Sequence, residues 1–305
     1  MIFKDSYRWL WIRLLFLVTS FAFAQNYAGI QIDNDLYFGI DRYYSSGIFL
    51  KYGGSISKNK ENTPSVFRSR HWTLGQEINT PSFRYTSDPD KIDFPYNGWL
   101  FIERLEETFR QPDFGYGWAV QLGTTGAKET FAKWMQNTYH IYVLKLDPLS
   151  WAWALPQAFH LNARVNLKWG KEIQGPLKWV QEYQAQAGTY RTYLSTRTGI
   201  QLGSLAGLPF FGERLEALSD GSSLFLGTRF IYNIYDYSLS GNLQTNELPM
   251  DIEANSLRQE FQVGMVFIKR PWKGQFLFHS SSNYVRSQRY PRHPYLNLSV
   301  IRILP

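Results

Sequence analysis

The 305-residue sequence contains no cysteine. That excludes a disulfide scaffold, a thiolate zinc site, an iron–sulfur cluster and a cysteine nucleophile. Charge is scarce: Asp, Glu, Lys and Arg make up 19% of the chain, below the ~25% usual for a globular domain. Beyond residue 24 no run of ~18 consecutive apolar residues occurs, so no helix of that part is expected to span a bilayer. The mean hydropathy of −0.33 also argues against a polytopic helical protein. There is no glycine-rich phosphate loop, His/Cys metal cluster, internal repeat or low-complexity tract. What is present in excess is aromatic: 11 Trp, 20 Tyr and 22 Phe, or 17% of the chain.

Residues 1–24 read as a secretory signal. Lys4, Arg8 and Arg13 form a basic start, Leu14 to Ala24 an apolar run, and Ala22-Phe23-Ala24 a small-residue cleavage site before Gln25. The alternative is an uncleaved anchor. Residues 25–305 then form the functional domain. The formal charge of +7 falls to +5 without the three basic residues and one acid of the signal, and such a modest positive charge suits an anionic membrane surface or nucleic acid. Export makes nucleic acid an unsuitable partner.

The remaining chain alternates with a period of two. Phe159, Leu161, Ala163, Val165, Leu167 and Trp169 interleave with His160, Asn162, Arg164, Asn166, Lys168 and Gly170. Similar patterns begin near Tyr27, Tyr43, Arg68, Tyr96, Gly115, Gln157, Lys178, Thr192, Ser223, Leu257, Gly274 and Pro294. Most are of a length suited to tilted strands crossing a hydrocarbon core. Faces carrying Arg, Lys and Asn do not pack into a dry sandwich core. The pattern therefore predicts an all-β fold: a transmembrane antiparallel β-barrel of about twelve strands, apolar outside and polar inside. Tyr and Trp would serve as interfacial girdles. The competing architecture is a secreted sandwich with aromatic carbohydrate platforms.

With the first strand running outward, the longest external connection is Thr124 to Pro156. Within it, residues 127–140 read as a short helix, with Glu129, Lys133, Gln136 and His140 on one face. That helix either plugs the mouth, lies on the lipid surface or carries a site. Strand 1 ends Asp33-Asn34-Asp35 and strand 2 opens Asp41-Arg42-Tyr43-Tyr44-Ser45. These are either loop chemistry or hard-oxygen ligands for a cation such as Ca²⁺, at the same rim as an imidazole able to activate water. Ser204 to Ser222 is long for a periplasmic turn. It either packs under the barrel or marks a miscounted strand. His71 and His293 are expected at the surface or in turns. Tyr43, Tyr44, Trp134 and Trp151 are candidates for touching a lipid.

The stretch Asp33-Asn-Asp-Leu-Tyr-Phe-Gly-Ile-Asp-Arg-Tyr-Tyr-Ser-Ser-Gly47 resembles the opening motif of the outer-membrane lipid A deacylases of LpxR type. Leu74-Gly-Gln-Glu-Ile-Asn-Thr-Pro81, Pro95-Tyr-Asn-Gly-Trp99, Leu122-Gly-Thr-Thr-Gly126 and the pair Gln136-x-x-x-His140 follow in the family's order. Asp236-Tyr-Ser-Leu-Ser-Gly241 is a weaker match. The resemblance implies a twelve-stranded barrel open to the outer leaflet and Ca²⁺-dependent hydrolysis of the 3′-acyloxyacyl ester of lipid A. It assigns the essential pair to Asn34 and Asp35, the essential hydroxyl to Ser45, the catalytic histidine to His140 and its partner to Gln136. On this basis Asp35 carries Ca²⁺, Asn34 holds the local geometry and Ser45 assists the oxyanion. The implied partners are lipopolysaccharide, outer-membrane lipids and, during biogenesis, the outer-membrane assembly machinery. The chain departs from the family in Ser150-Trp-Ala-Trp-Ala-Leu155, where Ala154 and Ala158 stand at positions usually held by Gln and an acid.

Two other functions are consistent with a barrel. A calcium-dependent phospholipase would use a strand-borne Ser–His pair built on His279 or His160, although lumen packing is the commoner role for such histidines. A non-catalytic pore or adhesin would need neither Asp35 nor His140.

Overall fold

The alternating segments form one closed wall. In the computed structural model, which describes residues 26–56, 66–128, 130–212, 219–241 and 252–304, twelve antiparallel strands close into a barrel. They are β1 (Asn26–Asn34), β2 (Tyr43–Ser55), β3 (Phe67–Thr80), β4 (Asn97–Gln111), β5 (Phe114–Thr125), β6 (Ala158–Gln174), β7 (Leu177–Gly188), β8 (Arg191–Gly203), β9 (Gly221–Asp236), β10 (Leu257–Lys269), β11 (Trp272–Ser282) and β12 (Arg292–Ile303). The wall closes where β1 pairs with β12, from Tyr27 opposite Ile303 to Asn34 opposite Leu296. Closure leaves no sheet edge to present unpaired backbone groups to lipid. Each strand starts within two residues of its sequence-based position. Strands β4, β6 and β9 exceed the expected length, at 15, 17 and 16 residues. In β6 the added length carries exposed Lys171 and Glu172, polar residues that suit water beyond the hydrocarbon.

The two faces differ as the pattern requires. Phe159, Leu161 and Val165 point outward, with Phe159 78% exposed. The alternate residues of the same strand face a lumen of paired charges. Arg164 binds Glu103 at 2.9 Å, Lys168 pairs with Glu107, and Arg191 bridges Glu77 at 3.0 Å and Asp236 at 3.2 Å. Such pairing offsets much of the cost of removing these charges from bulk water.

Apolar layers cross both ends of the lumen. At the short-turn end the β8–β9 connection turns inward. Its Leu205, Leu208, Phe210 and Phe211 join Tyr27, Val180, Phe225, Ile268 and Ile301 in one buried cluster. The described part of the long connection, residues 205–211, is thus an internal plug, and the strand count stands. At the other end Tyr43, Phe94, Val285 and Leu239, the last from the short helix α2 (Tyr237–Ser240), form a second buried layer.

Four expectations need correction. His71 is buried in the lumen, with Nδ1 2.6 Å from the Tyr27 hydroxyl. His293 is fully buried, with Nε2 2.9 Å from the Tyr44 carbonyl oxygen. Tyr43 and Trp151 are buried, and the Tyr44 hydroxyl donates to Asp33 at 2.8 Å from within the wall. Of the four aromatics expected to touch lipid only Trp134 is openly exposed, at 68%. The helix is also shorter than expected. The signal segment 1–24 and Glu129 lie outside the described residues.

Candidate functional site

The β5–β6 connection carries the helix α1 (Ala132–Tyr139), which runs directly into a single π-turn, His140–Leu144. Residues 130 and 131 precede the helix because Phe131 adopts a left-handed conformation with φ of 57°. Thr130 is tied back by its hydroxyl to the Gly126 carbonyl oxygen at 2.6 Å. At the far end Lys145 is again left-handed, with φ of 58°, and the Leu146 amide donates to the His140 carbonyl oxygen at 3.0 Å. Asn137 exchanges two hydrogen bonds with the Leu149 backbone, at 2.8 and 3.2 Å, and so fastens the returning chain to the helix.

The helix neither plugs the mouth nor stands free. It packs on the outer wall, where Ala132 clusters with Ile78 of β3 and with Tyr96, Leu149 and Trp151. Glycine at position 98 makes this approach feasible. A β-carbon there would lie 2.1 Å from Thr130 Oγ1 and 2.4 Å from Ala132 Cβ. Packing selects the buried helix face as Ala132, Gln136 and His140. Lys133 is exposed and does not share it. Phe131, Trp134, Tyr142 and Val143 point away from the wall, each at least 60% exposed.

Opposite this face stands the turn after β1. Asn34 Oδ1 accepts from the Leu36 amide at 2.6 Å, an Asx-type turn. The Phe38 amide donates to the Asp35 carbonyl oxygen at 2.9 Å, and Gly39 ends the short 3₁₀ turn Leu36–Phe38 with φ of 70°. The Asp35 amide donates to the Ser45 carbonyl oxygen at 3.1 Å, and Asp35 Oδ2 accepts from the Arg42 amide at 2.9 Å. The residue is therefore held by its backbone amide and by one carboxylate oxygen. Ser45 lies at a register shift between β2 and β3, and its hydroxyl donates to the Ile78 carbonyl oxygen at 3.4 Å.

Asn34, Asp35, Ser45, Gln136 and His140 line one cavity of about 260 Å³ between helix and wall. Ile32, Ile48, Ile78, Met135, Tyr139 and Leu144 supply its apolar side. A mostly apolar cleft with a few convergent polar groups is the usual form of a ligand site. All five expected site residues thus meet in space.

The structure adds residues that sequence reasoning did not connect to the histidine. Asp41 Oδ2 lies 2.9 Å from His140 Nε2, and Asp41 Oδ1 accepts from Gln136 Nε2 at 3.3 Å. Arg84 Nε approaches the same carboxylate at 3.4 Å. The Tyr85 hydroxyl lies 3.5 Å from His140 Nδ1. An ionised carboxylate only accepts hydrogen bonds, so Nε2 is the donor to Asp41; in the neutral ring that leaves the lone pair on Nδ1. Asp41 was visible inside the opening motif. Its pairing with a histidine 99 positions away had no local signal.

Asp35 is fully buried. Burial, and then the negative charge of Asp41, hold its carboxyl well above the usual carboxylate range. A cation would relieve both effects. Two buried oxygens on the cavity, Asp35 Oδ1 and Gln136 Oε1, have no hydrogen-bond partner among the described residues. Both are hard donors of the kind calcium takes. No cluster of three or more His, Cys, Asp or Glu set to hold a metal occurs among the described residues. A calcium ion here would therefore rely on amide, hydroxyl, backbone and water oxygens besides the carboxylates. Ala154 packs against the cluster under the helix and Ala158 against a lumen cluster; neither lines the cavity.

A family model described as outer membrane protein LpxR matches residues 10–301. The solved structure of LpxR from Salmonella typhimurium is 18% identical, covering 90% of this chain and 99% of its own, with a TM-score of 0.72. The β-domain of the Bordetella autotransporter BrkA follows at 7% identity, 91% and 98% coverage and a TM-score of 0.49. The translocator domain of NalP from Neisseria meningitidis has 10% identity, 97% and 94% coverage and a TM-score of 0.40. A comparison with curated proteins finds no match.

Proposed function

The chain belongs to the LpxR family of integral outer-membrane proteins, and on that premise we propose that it is a lipid A deacylase. Its reaction is hydrolysis of the 3′-acyloxyacyl ester in the outer leaflet. The observation that carries this reading is the Asp41–His140 pair beside buried Asp35, in a cavity with an apolar side on the outer wall. A site there receives a lipid from the membrane plane rather than from the lumen.

Asp41 holds His140 with Nε2–H toward the carboxylate, and Nδ1, beside the Tyr85 hydroxyl, serves as general base. Nδ1 removes a proton from a water, which attacks the ester carbonyl carbon. The imidazolium, stabilised by Asp41, then returns the proton to the departing sugar oxygen as the C–O bond breaks. The products are a free acyloxyacyl fatty acid and a sugar hydroxyl. Asp35, Gln136 and Ser45 supply oxygens suited to Ca²⁺, which when bound adds positive charge where the oxyanion develops. Asn34 keeps Asp35 in place through its turn. Gln136 acts on His140 through Asp41. The isoleucines lining the cavity suit the acyl chain.

The experiment is lipid A mass spectrometry on cells expressing wild type or His140→Gln. Loss of one acyloxyacyl unit with wild type only is expected. Equal deacylation by both would reject His140 as base. The phospholipase reading lacks support from geometry, since His279 binds Glu260 at 2.9 Å and His160 contacts Thr125 at 3.1 Å, both facing the lumen.

A further inference from the structure

Three loops beside the cavity interlock through arginines in a ring. Arg42, in the β1–β2 loop, lies 3.6 Å from the ring centre of Tyr290 in the β11–β12 loop. Arg289, next to Tyr290, lies 4.2 Å over Phe83 in the β3–β4 loop. Arg84, next to Phe83, returns to the first loop at Asp41, 3.4 Å away. One carboxylate ties the same loops. Asp93 Oδ2 accepts from the Tyr43 hydroxyl at 2.9 Å and the Arg289 amide at 3.4 Å, and its Oδ1 from the Ser82 amide at 2.8 Å.

A guanidinium held by its face on an aromatic ring keeps its edge N–H groups free to point outward. Asp93 directs its oxygens to a phenol and two amides, not to the guanidinium groups. Arg42 Nε is buried without a hydrogen-bond partner among the described residues. Phe83 and Tyr290 are 41% and 39% exposed, so the ring lies open. Two ring-stacked guanidinium groups on a frame fixed by Asp93, with Arg84 beside them paired through Nε to Asp41, match a tetrahedral oxyanion with several acceptors. Sequence adjacency of Arg42 to Asp41, and contact of Arg84 with it, set this ring against the His140 cavity.

We infer that Arg42, Arg84 and Arg289 form a cradle for a phosphate monoester on the sugar headgroup of the membrane glycolipid whose acyl chain enters the cavity. The inference rests on the deacylase reading and fixes how that substrate is oriented.

The test uses full-length protein refolded in detergent micelles, with His140→Ala as a non-turning background for binding. Fluorescent lipid A is compared with the same lipid after enzymatic removal of its phosphates. The phosphorylated lipid is expected to bind about tenfold tighter, as charge-assisted pairs at a half-exposed site allow. Arg42→Ala with Arg289→Ala should bring the ratio near one. Arg42→Lys with Arg289→Lys should keep part of the preference, because charge survives without the fork. Heat-modifiable migration on gels checks that each variant is folded. Equal binding of the two lipids by the background protein would overturn the cradle. So would a preference that both alanine substitutions leave intact, or one that inorganic phosphate alone reproduces as tight binding at the same residues. Turnover by unsubstituted protein is scored separately. Acyl release without phosphate preference sinks the cradle and spares the deacylase; phosphate preference without acyl release does the reverse.

Discussion

Asp41 and His140 stand 99 positions apart in the chain, and their side chains meet at 2.9 Å in a buried pocket on the outer wall of the barrel. The contact joins the β1–β2 loop to the end of α1. It makes the imidazole directional, with one nitrogen committed to the carboxylate and the other 3.5 Å from the Tyr85 hydroxyl.

That pairing predicts the effect of Asp41→Asn. The amide offers Nε2 either a donor or an acceptor, so it no longer selects the tautomer with a free Nδ1 lone pair. The turnover number should fall roughly a hundredfold or more, the scale of a general base. KM should change little, because Asp41 points at the histidine. Micellar kinetics with a labelled acyl chain separate the two constants. A variant losing only KM would remove Asp41 from the positioning role.

The barrel was legible because period-two alternation is a local signal. Phe159 to Lys168 shows both faces without reference to any other strand. For the lumen plug the sequence allows either packing under the barrel or a miscounted strand, since the partners of Leu208, Phe210 and Phe211 come from six different strands. The same limit applied to the site. Asn34, Asp35 and Ser45 share one motif, and Gln136 and His140 share one helix face, so each group was readable. The contact between the groups depends on packing of α1 on Gly98, a residue whose importance is the absence of a side chain. His71 and His293 were misjudged because short-range context does not reveal which strand residues hydrogen-bond across the lumen.

Gly98→Val tests that packing. The added carbons meet Thr130 and Ala132 within 2.4 Å, and neither neighbour is the end of a long flexible chain. The helix must move outward, taking Gln136 and His140 away from Asp41. A displacement on the order of 1 Å costs about a hundredfold in rate. The barrel should remain, judged by heat-modifiable migration and outer-membrane fractionation. Wild-type activity in a folded Gly98→Val protein would show that α1 need not be seated for catalysis.

The proposed role of Asp35 as a Ca²⁺ ligand predicts calcium dependence. A chelator selective for Ca²⁺ should abolish acyl release, and added Ca²⁺ should restore it. Mg²⁺ should restore it poorly, since it demands a near-ideal octahedron and sheds water reluctantly. Asp35→Asn removes the buried charge while keeping size. It should raise the Ca²⁺ concentration needed for half-activity by at least about tenfold. Terbium luminescence, excited through nearby tyrosines, reads cation binding without turnover. Full activity in chelator would separate this chain from a calcium mechanism.

The lumen predicts a barrel that does not conduct. Apolar layers cross it at both ends, at Phe94, Val285 and Leu239 on one side and at Leu208, Phe210 and Phe211 on the other. Arg197 lies 4.4 Å over the Phe211 ring and donates to the Phe210 carbonyl oxygen at 3.2 Å, clamping the plug from the wall. Wild-type protein in a planar bilayer should show no porin-like steps. Substituting Leu208, Phe210 and Phe211 together by serine should loosen the inner layer and lower stability by several kcal/mol, as about 3–5 kcal/mol is typical for each large aromatic removed from a core. The outer layer would still restrict flow, so only brief or small openings are expected. Steady large conductance from the unsubstituted protein would mean that the plug leaves the lumen in a bilayer, and would revive the pore reading in place of a sealed scaffold.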